Sequence, residues 1–115
     1  MRVRAKRVYD PPASRDGARI LVDRLWPRGI RKDRLAIDRW MREVAPSSEL
    51  RTWYGHDPDR WEEFRTRYRR ELRSGPQGAA LRELRELAAR RNVTLLTATR
   101  DLERSAAAVL VELLG

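Results

Sequence analysis

The sequence has no cysteine among its 115 residues. This excludes a disulfide framework, a cysteine nucleophile and any zinc or iron–sulfur site held by thiolates. Histidine occurs once, at His56, and no spacing such as His-x-x-x-His is present, so we expect no metal site. The absence of cysteine also fits a reducing compartment, and we expect a cytoplasmic protein.

Long hydrophobic runs are also missing. The longest runs only from Ala106 to Val111 before Glu112 ends it, whereas a membrane-spanning helix needs about 20 apolar residues. The basic N-terminus is followed by no apolar region of the kind found in signal peptides. We therefore expect neither export nor a membrane partner.

Three sequence motifs of common enzyme classes are absent. Neither Gly-x-x-x-x-Gly-Lys nor Gly-x-Gly-x-x-Gly follows a candidate strand, which argues against nucleoside triphosphate and dinucleotide cofactors. No Gly-x-Ser-x-Gly elbow of a serine hydrolase is present. We expect no cofactor.

Lysine is scarce and arginine abundant. Of 26 basic residues only Lys6 and Lys32 are lysines, and the formal net charge is +9. The excess is uneven, since residues 1–34 contain 11 basic and 4 acidic side chains, whereas residues 35–115 contain 15 and 13. A GC-rich coding sequence would explain arginine in place of lysine everywhere. The excess of positive charge near the N-terminus also fits an anionic partner, because guanidinium groups bind phosphate and carboxylate in a forked geometry.

Length and patterning predict one α/β domain over residues 1–115. Residues 2–6 alternate basic and apolar side chains, as in an edge strand, whereas residues 20–22 and 93–97 are continuous apolar runs typical of buried strands. Helical patterns separate the two buried runs. This arrangement predicts a small, mostly parallel sheet covered by helices in two or three layers.

The clearest helical pattern covers residues 57–73, where apolar residues recur at spacings of three, four and four. Asp57 is a suitable N-cap and Pro58 suits the first turn. Residues 33–45 fit either a helix or an extended chain and stay open. Further helices are predicted after Ser47 or Ser48, after Gly75-Pro76, and from about Leu102 to Leu114 with Thr99 or Asp101 as cap.

The two buried strands are each followed by charged residues. If the strands are parallel neighbours, both loops emerge at the edge of the sheet where open α/β folds bind ligands. Arginines and the amides at a helix start would there form an anion site. Alternatively, the acids pair with the arginines and only close a polar end of the sheet. The loops contain Asp23, Arg24, Trp26 and Arg28 after the first strand, and Thr97, Thr99, Arg100 and Asp101 after the second.

Candidate functions follow from these side chains. Arg24, Arg28 and Arg100 would hold an anion; Asp23, His56 or Asp101 would transfer protons; and Trp26 or Trp53 would cover the ligand. Each has a plainer interpretation: His56 lies in a turn before a capped helix, and both tryptophans could anchor loops.

Several motifs together resemble the YeaO-like branch of domain-of-unknown-function family 488. They are Lys6-Arg7-Val8-Tyr9-Asp10, residues 22–29 (Val-Asp-Arg-Leu-Trp-Pro-Arg-Gly), Ala45-Pro46-Ser47, residues 53–58 (Trp-Tyr-Gly-His-Asp-Pro) and Trp61. The resemblance implies a small α/β protein of a family without an established activity. Members often have an aromatic residue in the last strand and an Asp followed by His-Asn before the last helix. This chain has Thr97 and keeps Arg100-Asp101 but lacks His-Asn. If that pair takes part in a family activity, the resemblance implies that the activity is altered or lost in this chain.

Two functions remain open at this point. One is a site for an anionic or phosphorylated small molecule, with or without catalysis. The other is a nucleic-acid-binding module that uses the basic N-terminal third, with Tyr9 and Trp26 among its cations. No helix-turn-helix, zinc-finger or RNA-recognition signature supports the second.

Overall fold

The computed structural model describes residues 2–115 and has a four-stranded parallel sheet at its centre. The strands lie in the order β1-β4-β2-β3, so β4 is inserted between the first two. The predicted α/β class is confirmed, as are the edge position of the first strand and the parallel pairing of the two buried strands. The strands are β1 (Val3–Arg7), β2 (Ala18–Leu21), β3 (Arg39–Trp40) and β4 (Val93–Thr97).

All four helices pack on one face of the sheet. Their buried side chains form a single hydrophobic core with Ile20, Val93 and Leu95, which alternate along the strands with residues of the opposite face. The sheet and its helices thus make two layers. No helix within residues 2–115 is long and apolar enough to cross a membrane. The helices are α1 (Ser48–Tyr54), α2 (Trp61–Glu71), α3 (Gly75–Ala88) and α4 (Ala106–Leu114).

The opposite face is covered by irregular chain. Residues 22–38, which we call the cover segment, contain only a short 3₁₀ turn at Lys32–Arg34 before β3 begins. The apolar side chains of this segment and Trp40 pack on Val8, Leu21 and Leu96 of the sheet. Residues 33–45, which the sequence left open, therefore form neither a long helix nor a long strand. The apolar residues of the cover segment that pack there are Trp26, Ile30, Leu35 and Ile37.

A polar cluster, the Asp16 cluster, occupies the same face near the amino ends of the strands. The carboxylate of Asp16 is 1% exposed and accepts from Arg4 at 3.0 Å, from Lys6 at 3.1 Å and from Arg19. Burial raises the pKa of this carboxyl, but the hydrogen bonds from the Ala13 amide, Lys6 and Arg19 lower it by more. The net effect holds the pKa well below its usual range. One acid thus binds three cations from the two strands that flank β4, and it offsets one of their three charges.

The apolar stripe of α2 packs largely as its spacing predicts. Phe64, Tyr68 and Leu72 are buried in the core, whereas Trp61 at the first turn is only partly buried against it. The predicted helix of residues 57–73 is shorter than expected, because a 3₁₀ turn at Pro58–Arg60 precedes the α-helix. Asp57 caps that turn, and its side chain accepts from the Asp59 amide at 3.0 Å.

The predicted start and cap of the last helix are wrong. Leu102–Arg104 is a separate 3₁₀ turn, and α4 begins at Ala106 with Ser105 as N-cap. The Ser105 hydroxyl accepts from the Ala108 amide at 3.2 Å. Asp101 pairs instead with Arg104 at 3.0 Å, and its side chain makes no capping hydrogen bond.

Replacing Asp57 with Ala is expected to lower the free energy of unfolding by about 1 kcal/mol, because the amide of Asp59 loses its acceptor. Asp59→Ala is a matched control, since it leaves the capping carboxylate in place and should change stability by less than about 0.5 kcal/mol. Urea unfolding measures both. A loss of several kcal/mol for Asp57→Ala would reveal a wider polar network.

Candidate functional site

A cleft of about 870 Å³ opens at the carboxyl edge of the sheet, and we call it the carboxyl-edge cleft. Its walls come from the residues that end or follow β1, β2 and β4, from the end of α1 and from the start of α4. Because parallel strands all end at the same edge, segments distant in sequence meet here. The topology thus creates a single site from parts of the chain that are far apart in sequence.

Seven of the eight predicted site residues line this cleft. They are Asp23, Arg24, Trp26, Arg28, His56, Arg100 and Asp101. Trp53 is not among its lining residues. Its ring is half-buried and contacts the guanidinium groups of Arg60 and Arg67, whose Cζ atoms lie 5.2 and 4.5 Å from the ring centroid. Trp53 therefore packs beneath arginine side chains of the α2 region and does not cover the cleft.

Asp23 joins the ends of β2 and β4. Its carboxylate accepts from the Thr97 hydroxyl at 2.7 Å and from the Ala98 amide at 2.8 Å. Burial raises the pKa of this carboxyl above its ordinary value, while these two hydrogen bonds and the charge of His56 partly offset the rise. Both carboxylate oxygens already have donors, so Asp23 fixes the geometry of the cleft floor.

Arg24 is fixed by backbone carbonyls. Its Nε donates to the Pro46 carbonyl at 3.0 Å and a terminal nitrogen donates to that of Ala45 at 3.2 Å. The loop that accepts these bonds is itself held, since the Ser47 amide donates to Glu71 of α2 at 2.9 Å. Arg24 consequently presents its positive charge from a fixed position.

Most arginines of the cleft have no acidic partner. Within residues 2–115, Arg7, Arg28, Arg51 and Arg100 form no ion pair, and Arg104 pairs only with Asp101. Six guanidinium groups, counting Arg24, thus face two carboxylates, those of Asp23 and Asp101. Like charges collected in one cleft repel each other, and a bound anion relieves that repulsion.

Sequence reasoning missed Arg7, Arg51, Tyr54 and Arg104. Arg7 is the last residue of β1, and its position could have been found by extending the carboxyl-edge argument to the edge strand. Its Nε is shielded from solvent and, in the part of the chain described, has no acceptor. No sequence signal places Arg51 and Tyr54 here, because that requires knowing how α1 packs.

Tyr54 forms part of the cleft wall. Its hydroxyl donates to the Arg104 carbonyl at 2.8 Å, and its ring stacks on Phe64 with centroids 4.2 Å apart. Burial raises the pKa of this phenol, as does the nearby charge of Asp101. The phenol therefore stays protonated at neutral pH and connects α1 to the turn before α4.

His56 lies in a tight turn at the margin of the cleft. It has a φ of 58° directly after Gly55 at 53°, and its side chain is exposed. A left-handed φ is uncommon outside glycine, although histidine adopts it more often than most residues. The turn lets the Asp57 amide donate to the Tyr54 carbonyl at 3.0 Å.

Trp26 anchors the cover segment. Its Nε1 donates to the Ile30 carbonyl at 2.6 Å, and its ring meets that of Trp40 edge-on with centroids 5.3 Å apart. The side chain also lines the cleft.

Within residues 2–115, no three His, Asp or Glu side chains lie together in a group able to hold a metal ion.

Comparisons with known proteins give matches that cover nearly the whole chain. The family model described as "Inactive DUF488-N3 subclade" matches residues 2–115. The chain is 54% identical over 114 residues to uncharacterized protein Rv3073c of Mycobacterium tuberculosis (strain H37Rv), covering 99% of this chain and 94% of the relative. It is 41% identical over 112 residues to uncharacterized protein YeaO of Escherichia coli K12, covering 97% and 96%. No solved structure matches the chain significantly.

Proposed function

This chain belongs to the YeaO-like DUF488 family, and from that premise we propose that its carboxyl-edge cleft binds a small anionic, phosphorylated molecule without transforming it. The observation that carries the proposal is the excess of six arginines over two carboxylates in one cleft. Five of those arginines, all except Arg104, have no ion-pair partner within residues 2–115. Guanidinium groups in this state are suited to phosphate oxygens.

The shape of the cleft agrees with a small-molecule ligand. Its volume of about 870 Å³ falls within the range of about 300–1,000 Å³ common for sites of small organic ligands. Asp23 and Arg24 are both fixed by hydrogen bonds to other elements, so two walls are in place before a ligand arrives. Binding therefore needs little ordering of these two side chains.

Three features favour binding over catalysis. The matching family model describes an inactive subclade, and the His-Asn pair before the last helix is absent. The two carboxylates that are candidate acids or bases both have partners. Asp23 accepts hydrogen bonds from Thr97 and Ala98, and Asp101 forms an ion pair with Arg104. A proton-transfer group needs a free path to its substrate, and only His56 keeps one.

The alternative function, nucleic-acid binding by the N-terminal third, has weaker support. Arg4, Lys6 and Arg19 belong to that third, and all three point to the carboxylate of Asp16. These three side chains are thus held at one carboxylate inside the cluster, which offsets one of their three charges and keeps them from spreading over a phosphate backbone. A nucleic-acid binder would show affinity for generic DNA or RNA that falls steeply with salt.

Sulfate or phosphate is expected to raise the melting temperature, whereas chloride at the same ionic strength is not. A ligand that binds only the folded state adds RT ln(1 + [L]/Kd) to its stability, or about 2.7 kcal/mol at a hundredfold excess over Kd. Replacing the exposed Arg28 with Ala should remove most of this gain and leave the melting temperature without anion unchanged. Differential scanning fluorimetry measures both values.

Arg90→Ala is the matched control, because Arg90 is also exposed and lies outside the cleft. It should keep the full anion-dependent rise. Equal stabilisation of the wild type and the Arg28→Ala variant would contradict the proposal. Steeply salt-dependent binding of generic DNA that Arg28→Ala leaves intact would favour the nucleic-acid alternative.

A further inference from the structure

Exposed apolar residues are concentrated at one place. Within residues 2–115, the exposed large hydrophobic side chains are Tyr9 at 51% and Leu25 at 59%, and both line the carboxyl-edge cleft. Isolated exposed hydrophobic residues are ordinary, but two that share one basic cleft indicate a surface suited to an apolar group. Neither residue belongs to the two packed cores.

The Tyr9 side chain is arranged as a stacking surface. The Arg7 guanidinium lies over its ring, with Cζ 4.9 Å from the centroid. Arg7 also lines the cleft, and its shielded Nε has no acceptor within residues 2–115. A ligand beside Tyr9 therefore meets an aromatic ring and a positive charge together.

The cleft is also too large for an inorganic anion alone. Its 870 Å³ exceeds many times the roughly 30 Å³ share of one water molecule in the liquid, and a phosphate ion occupies only a few such volumes. Part of its wall is apolar and is formed by the buried side chains of Val22, Tyr54 and Phe64. Most of the cleft is consequently available to an organic group attached to the anion.

We propose that the ligand is a phosphate monoester whose organic part is a flat apolar ring, which packs against Tyr9 and Leu25 while arginines, Arg28 among them, hold the phosphate. This inference rests on the proposed anion-binding function and adds the chemical class of the organic part. Stacking of a ring on an aromatic side chain is tolerant of the identity of the ring. The cleft thus selects for a ring rather than for one particular heterocycle.

Isothermal titration calorimetry with three probes tests the inference: inorganic phosphate, glycerol 3-phosphate and phenyl phosphate. The two esters have the same charged group and differ in the polarity of the organic part. We expect phenyl phosphate to bind about tenfold or more tightly than glycerol 3-phosphate, since stacking of one ring contributes roughly this factor. Arg28→Ala should weaken all three probes.

The variants Tyr9→Ser and Leu25→Ser separate the ring from the anion. Both residues are exposed, so the fold should be retained, and inorganic phosphate should bind each variant as it binds the wild type. The preference for phenyl phosphate over glycerol 3-phosphate should fall at least severalfold in each, and further in the double variant.

The possible results distinguish the two proposals. If none of the probes binds, the anion-binding function itself fails. If inorganic phosphate binds and Arg28→Ala abolishes it, but the two esters bind equally, the ring inference is overturned and the anion site stands. A preference for phenyl phosphate that survives in the Tyr9→Ser, Leu25→Ser double variant would also overturn it, because the ring would then lie elsewhere.

Discussion

Replacing Asp16 with Asn is expected to lower the free energy of unfolding by about 3–5 kcal/mol, the usual cost of removing one partner from a buried ion pair. Asn keeps the shape of the side chain but removes the one negative charge that Arg4, Lys6 and Arg19 share. Arg19 has a side chain only 8% exposed and cannot turn to solvent without disturbing β2. Urea unfolding followed by tryptophan fluorescence measures the loss.

Asp33→Asn is the matched control. Asp33 also pairs with an arginine, Arg31, but their side chains are 63% and 76% exposed. Exposed pairs contribute at most about 1 kcal/mol, and often nothing measurable. Similar losses for the two variants would show that the Asp16 cluster is no more important than a surface pair.

The pH dependence of stability gives a second measurement on Asp16. Its pKa in the folded state lies below the ordinary value of 3.8, so the carboxylate stabilises the fold fully above that value. The contribution is lost as the pH falls below 3.8 toward the folded-state pKa. We expect the difference in stability between the wild type and Asp16→Asn to shrink over this acidic range and to stay constant from pH 5 to 7.

Tyr68→Ala is expected to cost about 3–5 kcal/mol, as for other large aromatic residues removed from a core. Tyr68 is fully buried, and its ring lies 5.8 Å from that of Phe64 in the α2 stripe. Its hydroxyl also donates to the Val44 carbonyl, which joins α2 to the turn before α1. Thermal and urea unfolding should both report the loss.

Tyr68→Phe separates packing from hydrogen bonding. The ring stays in place while the Val44 carbonyl loses its donor, at a cost of about 1–3 kcal/mol. Trp61→Ala serves as a comparison from the same stripe, and should cost less than Tyr68→Ala because Trp61 is only partly buried. If Tyr68→Ala costs no more than Tyr68→Phe, the ring contributes little to the core.

Three of the four strands, β1, β2 and β4, were predictable because their apolar residues are consecutive or alternate. The exact start of β2 was not predictable, and β3 lies in the segment that the sequence left open. The sequence pattern places a strand at residues 20–22, but β2 is Ala18–Leu21 and includes the buried Arg19. A charged residue argues against a buried strand when only hydrophobicity is considered. Arg19 is tolerated there because Asp16, three residues earlier, neutralises it.

The candidate site was predictable where it depends on parallel strands alone. The positions of Asp23, Arg24, Arg28, Arg100 and Asp101 at one edge follow from the pairing of β2 with β4. Trp53 was misplaced because a tryptophan in a short helix has no periodic pattern that shows which side it faces. In the structure, it packs against arginines and core residues instead of the cleft.

The cover segment contacts both the carboxyl-edge cleft and the sheet face opposite the helices. The same residues, 22–38, pack Trp26 and Ile30 on one side and supply Asp23 and Arg28 to the cleft on the other. Few amides of this segment bond to other backbone groups, those of Val22, Arg34 and Asp38 being the exceptions. Amides without such bonds exchange hydrogen with solvent readily, so this segment belongs to the least protected part of the molecule. A ligand in the cleft would slow that exchange. The slower exchange would extend to the part of the segment that packs on Leu21 and Leu96, two residues outside the cleft.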